Sequence, residues 1–236
     1  MPKGRLIWLW FKRKQPRPVS FCRRTDHRLF RRGYHQRHLY DYMKTVYARA
    51  GNPAIIQLPL TSFDKNFALN AMAAESWEQS TDGLTRTFKL RDGLVWSDGA
   101  PLVANDYILA LHRAATTCYD FAWHWDYARG IKNLAPVTEG KADVATLGIS
   151  APDDKTIVIV TEAPKPYLPG VVSLWYPVPV HVWEKLGDEY AANVETLVSS
   201  GPFIVELLEK KQQLHGVGEK PHLHRPLAIY GGPSGN

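Results

Sequence analysis

The residues best placed to do chemistry in this chain are aromatic. Tyr119, Phe121, Trp123 and Trp125 fall at every second position, and Tyr127 extends the series. Flat rings presented along one edge can line a cleft; the competing reading packs them as core beneath a loop. Trp123, Trp125 and Tyr127 are the candidates to show a face to a ligand. His124, between two tryptophans, reads as packed or solvent-facing rather than as a metal ligand. Catalytic groupings are harder to find. Asp153 and Asp154 are adjacent, so they point apart and make a poor acid/base pair. The sequence holds no G-x-S-x-G, P-loop, H-E-x-x-H or paired C-x-x-C pattern. His35 with His38, and His215 with His222 and His224, lack the acid or cysteine partners of a metal site. Gly216-Val217-Gly218 lacks the βαβ setting a phosphate loop needs. Cys22 and Cys118 lie in different kinds of sequence and are not expected to pair. The expectation is a protein with no catalytic residues, no metal and no cofactor.

The elements that must position the aromatic series lie just before it. Ser80-Thr81-Asp82-Gly83 is a turn, because Asp-Gly tolerates φ > 0. From Leu84 to Arg91 the chain alternates, with Leu84, Arg86, Phe88 and Leu90 on one face of a half-buried strand. Arg86 is the misfit on that face, so it is expected to reach a carboxylate or the sheet edge. Asp92-Gly93 and Ser97-Asp98-Gly99 make two further turns, and the three turns around short apolar runs predict a small antiparallel unit. A helix follows. Ala104, Tyr107, Ile108, Leu111 and Ala115 form one apolar stripe, and Asp106 falls in the first turn, where a carboxylate meets the positive end of the helix dipole. Later, Thr146–Ser150 and Thr156–Thr161 read as strands joined by a turn at Asp153-Asp154. Glu139-Gly140-Lys141 reads as a turn, Glu162–Pro166 as a Pro-rich, hinge-like crossing, and His181–Leu186 as a short helix ended by Gly187 in the left-handed conformation.

The succession AESWE, TFKLRDG and WSDGAPLVAND closely resembles the signature of the family 5 solute-binding proteins of bacterial ABC importers. Leu111-His112-Arg113, Gly148-Ile149, Asp153–Thr156 with Ile157–Val160, Pro177-Val178-Pro179 with Val182–Gly187, and Ser200-Gly201-Pro202-Phe203 continue the match in order. Phe63, Phe67 and Leu69, with Asp64-Lys65-Asn66, resemble the short hairpin that precedes the signature. Trp77 is expected to pack in the core. The resemblance runs from about Leu58 to Val205, and its Gly148–Leu186 region looks closest to the oligopeptide-binding branch. Val103 departs from the family's usual Thr or Ser and cannot cap the helix with its side chain, at a cost of about 1 kcal/mol. Arg86 stands where an apolar residue is commoner.

The resemblance implies an α/β fold with an α+β small domain: a partial type II periplasmic-binding-protein fold, a mixed sheet with short antiparallel units, and the second lobe missing. It implies a substrate-binding component that traps an oligopeptide between two lobes closing by a hinge, then docks on ABC permease subunits in the membrane. Peptide ligand and permease are the implied partners, with a monomer as the working unit and nucleic acid excluded. In the family, the carboxylate that faces the peptide's amino terminus belongs to the other lobe, so this chain alone is expected not to bind peptide usefully.

Charge divides the chain. Residues 1–50 hold 14 Lys+Arg against 2 Asp+Glu, a balance of +12, and the remainder holds 15 against 21, a balance of −6. Leu6–Phe11 is too short for a signal-peptide core and is followed by Lys-Arg-Lys rather than small residues. The family location is periplasmic; without a convincing leader, a cytoplasmic location stays open. The expected organisation is a basic, poorly ordered segment over 1–57, the small domain over 58–165, the start of the main lobe over 166–205 and a disordered tail over 206–236. A different class also fits the charge: a small interaction module whose basic arm, with Trp8, Trp10, Phe11 and Tyr34, binds nucleic acid or an anionic surface.

Overall fold

The structure, a computed structural model, describes residues 56–116, 128–208 and 214–219. Its centre is a four-stranded antiparallel sheet in the order β3-β4-β6-β5. The strands are β3 (Ala74–Gln79), β4 (Thr85–Leu90), β5 (Ile149–Asp153) and β6 (Thr156–Val160). Before it, β1 (Thr61–Phe63) and β2 (Leu69–Ala71) form a small hairpin. Asp64 closes that hairpin, its Oδ1 accepting from the N–H of Asn66 and Ala68 at 2.7 and 2.9 Å, the local bonding that suits Asp to turns.

The β3–β4 hairpin forms where the Ser80–Gly83 signal places it. Gly83 sits at φ 73°, a conformation glycine adopts without steric penalty. Asp82 accepts from Leu84 N at 2.9 Å and Ser80 Oγ from Thr85 N at 2.9 Å. Phe88 and Leu90 are buried while Lys89 is exposed, as the period-two pattern requires. Trp77, half-buried, packs on Phe88 with ring centroids 6.3 Å apart.

Helix α1 (Ala104–Thr116) lies against β5 and β6, with its whole predicted stripe buried. Leu109, Ala110 and Arg113 are buried as well. They face a second cluster formed by Ile56, Val178, Tyr190 and Ala191. Three short helices follow: α2 (Leu134–Thr138), α3 (Leu168–Val171) and α4 (Val180–Leu186). Leu168, Val171, Val172 and Trp175 belong to the same core as the sheet, so the packing runs unbroken past residue 165. Residues 56–58 are stitched to 198–201: Leu58 N–H donates to Ser200 Oγ at 2.9 Å, Ser200 Oγ to Gln57 Oε1 at 2.7 Å, and Gly201 N–H to Ile56 O at 2.9 Å. Strands β7 (Phe203–Leu208) and β8 (Leu214–Glu219) form a final antiparallel hairpin.

Several expectations need correction. Arg86 reaches neither a carboxylate nor the sheet edge. It sits on an interior strand opposite Gln79 and Ile159, and its buried Nε has no hydrogen-bond partner. Partial burial lowers its pKa. The strand expected from Thr146 begins at Ile149, because Asp143 Oδ1 accepts from Ala145 N at 2.9 Å and bends Val144–Thr146 into a 3-10 turn. Gly187 has positive φ but ψ −122°, outside the left-handed helical region, and leads into another 3-10 turn at Gly187–Glu189. The disordered tail expected from residue 206 gives way to a strand over Leu214–Glu219. Its weak intrinsic β-preference is overridden by pairing with β7, from Phe203 opposite Glu219 to Leu208 opposite Leu214.

Candidate functional site

The described elements converge on one buried polar hub at the start of α1. Asp106 is 2% exposed. Its Oδ2 accepts from Trp96 Nε1 at 3.0 Å and from Val103 N at 2.9 Å; its Oδ1 accepts from Val180 N at 3.0 Å. The Asp106 carbonyl also accepts from Val178 N at 3.0 Å. One residue thus joins the WSDG turn, the helix start and the chain that enters α4. Burial pushes the Asp106 carboxyl up to about 6, against the pull of its three N–H donors and of His181.

This revises the capping account. The Val103 side chain offers no acceptor, but the acid three residues on still reaches back to the Val103 N–H. That is one half of a capping box, retained without the other.

A second layer encloses the hub. His181 Nε2 lies 2.6 Å from Asp98 Oδ2, with both side chains about one-third exposed, and its ring meets Trp96 edge-on at 6.5 Å. Asp98 is held below the ordinary carboxylate range by His181 and the Ala100 N–H, although its partial burial opposes them. Further along α1, the Arg113 guanidinium stacks 3.7 Å from the centre of the Trp183 ring. A desolvated cation–π contact of this kind is worth about 2 kcal/mol. Burial lowers His112 to about 4, with Asp143 pulling the other way.

The aromatic candidates Trp123, Trp125 and Tyr127 lie outside the described residues, as do His124, Cys118 and Cys22. The structure places the ends of their segment: Ala115 and Ala128 are both buried in the main core. Asp153 and Asp154 do sit at the β5–β6 turn. The Asp153 carboxylate is occupied by Lys155 N at 2.8 Å and Thr156 Oγ1 at 2.8 Å. They border an open charged depression of about 520 Å³, together with Glu75, Lys89, Asp92 and Lys155, in which Lys155 pairs with Asp92. Among the described residues, no group of three or more His, Cys, Asp or Glu could hold a metal ion. None of their helices is long and apolar enough to cross a membrane.

A turn-rich antiparallel sheet backed by one helix, with a crossing that returns to a second core, is the architecture of a lobe of a bacterial binding protein. Residues 68–219, more than half of the chain, match the family model "Bacterial extracellular solute-binding proteins, family 5 Middle". The chain belongs to that family. The match extends past Val205, where the resemblance read from the motifs ends. The chain is 40% identical over 138 residues to the "Probable deoxycholate-binding periplasmic protein YgiS" of Escherichia coli K12, covering 56% of this chain and 25% of that protein. It is 34% identical over 148 residues to the periplasmic oligopeptide-binding protein OppA of Haemophilus influenzae, covering 61% and 27%. The crystal structure of that OppA in complex with RPPGFSPFR superposes with a TM-score of 0.65 over 72% of this chain and 34% of that one. An OppA from Borrelia burgdorferi gives a TM-score of 0.64 at 32% identity, over 76% and 36%. The chain therefore spans about a quarter of the length of these curated relatives and about a third of the solved structures.

Proposed function

We propose that this chain is part of the substrate-binding component of an ABC importer for oligopeptides, acting outside the cytoplasmic membrane. Its work is capture and delivery, with no catalytic step. The observation that carries the reading is the superposition on peptide-bound OppA at 34% identity. On this reading residues 58–165 are the small lobe and 166–205 the start of the main lobe. Trp123, Trp125 and Tyr127 turn their faces to the ligand, which is held by its main chain while its side chains meet flat surfaces. The permease subunits of the importer are the membrane partner, and the binding unit is a monomer.

The described elements correspond to a third of a peptide-bound relative, so a two-lobed site needs surfaces beyond them. Two titrations test this. The 236-residue chain, titrated calorimetrically with a mixed tri- to pentapeptide pool, is expected to show no binding; micromolar affinity would sink that part of the reading. A chimaera carrying residues 68–205 in place of the matching part of the Haemophilus OppA is expected to bind RPPGFSPFR and to lose affinity on Trp123→Ala or Trp125→Ala. A folded chimaera that does not bind the peptide would overturn the assignment.

A further inference from the structure

We propose that Asp106 is an acid-sensitive positioning residue: its carboxylate latches the entry of α4 onto helix α1 through the Val180 N–H, and protonation opens that one contact. The inference rests on how the two oxygens are used. Oδ2 holds two donors, Trp96 Nε1 and Val103 N, whereas Oδ1 holds only Val180 N. Three donors occupy three of the roughly four lone-pair sites of the carboxylate, so the one open site lies on Oδ1. An added proton goes there and turns Oδ1 into a hydroxyl oxygen, a weaker acceptor for the Val180 N–H than the ionised oxygen.

The direction follows from linkage. The Val180 hydrogen bond lowers the carboxyl's pKa, so ionisation must strengthen the bond and protonation must weaken it by the same factor. This holds for an opening that leaves Asp106 buried beneath Trp96. Exposing the whole carboxyl has the opposite sign, because burial is what pushes its pKa up. The local and the global response to acid therefore diverge, and that divergence is the signature of the latch.

The charged neighbours are few. His181, at the start of α4, is the charge that reaches Asp106. Asp98, on the turn, faces His181. Arg113, on α1, lies over Trp183. Glu184 and Lys185 on α4, and Asp154 beside the helix start, are exposed.

The test is amide exchange of the isotopically labelled full chain, corrected for intrinsic rates, between about pH 7.5 and pH 5. Protection of Val180 is expected to fall about tenfold, the scale of one charge-assisted hydrogen bond, while amides of β6 keep theirs. His181→Gln should preserve the fall, and Asp106→Asn should leave Val180 weakly protected at both ends. A Val180 amide whose protection does not change in the wild type, or changes only together with β6, overturns the latch. So does a fall that disappears in His181→Gln, which would assign it to the His181–Asp98 pair. If Asp106→Asn fails to fold, the wild type and His181→Gln decide alone.

Discussion

Two titratable residues on one helix, the buried Asp106 and the partly buried His112, pull stability in opposite directions with pH. Asp106 titrates near 6 in the folded chain against 3.8 unfolded, so its contribution is fully present below the unfolded value and is lost as pH rises to about 6. His112 titrates near 4 against 6.5. Its folded value is depressed, so the unfolded chain takes up the proton first, and stability is lost as pH falls from about 6.5 to about 4. Each swing is on the order of 3 kcal/mol at about 1.4 kcal/mol per pKa unit, so the two cancel over most of pH 4–6. Replacing one should unmask the other. Relative to the wild type, His112→Gln is expected to become more stable as pH falls from 6 to 4, and Asp106→Asn less stable. Urea unfolding at three pH values reads both slopes; two variants with wild-type slopes would refute the pairing. None of this was legible in the sequence. Position alone made Asp106 a surface partner for the helix dipole, because nothing local shows that Trp96 and Val180 close over it. His112 sits beside the stripe residue Leu111, and its burial comes from contacts distant in the chain.

At the scale of elements, the turns were the most legible feature and strand ends the least. Asp82-Gly83 fixed the β3–β4 hairpin, because a positive φ at glycine and a side-chain cap at aspartate are local chemistry. The first stripe of α1 was legible for the same reason. Its second buried side was not, since Leu109, Ala110 and Arg113 are covered by Ile56, far upstream, and by residues about seventy or more positions downstream. Gly148 shows what sequence withholds. A Cβ there would stand 2.6 Å from Val160 O and 2.7 Å from Lys132 Cβ, and that three-way approach is invisible without tertiary structure. The start of α1 offers a test of its own. Asp106 N–H bonds back to the Val103 carbonyl at 3.0 Å, so the N-cap geometry already exists and lacks only a side-chain acceptor. Val103→Ser is expected to complete the capping box and raise stability by about 1 kcal/mol. A denaturant midpoint at or below the wild type would show that the half-buried valine contributes more by packing than a hydroxyl returns.

For the molecule as a whole, the question is whether the two cores are separate bodies. The larger holds the sheet, the stripe of α1 and residues 168–175; the smaller holds Ile56, Val178, Tyr190 and Ala191. Helix α1 contributes Tyr107, Ile108 and Leu111 to the first and Leu109 and Ala110 to the second. An α-helix is one hydrogen-bonded element, so the two cores are packed on a single stiff body. The Asp106 carboxylate and the stack of Arg113 on Trp183 add polar ties across the same junction. A lobe movement of the kind the proposed function needs therefore costs more between α1 and α4, where that packing and those ties would be broken, than where the chain crosses between bodies that share no helix. The described residues are accordingly expected to unfold in one cooperative transition, with tryptophan fluorescence and far-ultraviolet circular dichroism coincident in urea. Trp77, Trp96 and Trp175 report on the first core and Trp183 on the second. A variant keeping Trp183 as its one tryptophan, with Trp8, Trp10, Trp77, Trp96, Trp123, Trp125 and Trp175 replaced by Phe, should show the same midpoint by fluorescence as by circular dichroism. An earlier fluorescence midpoint in that variant would mean that the second core opens while the sheet stands, and would place a hinge at the junction at Val178–Val180.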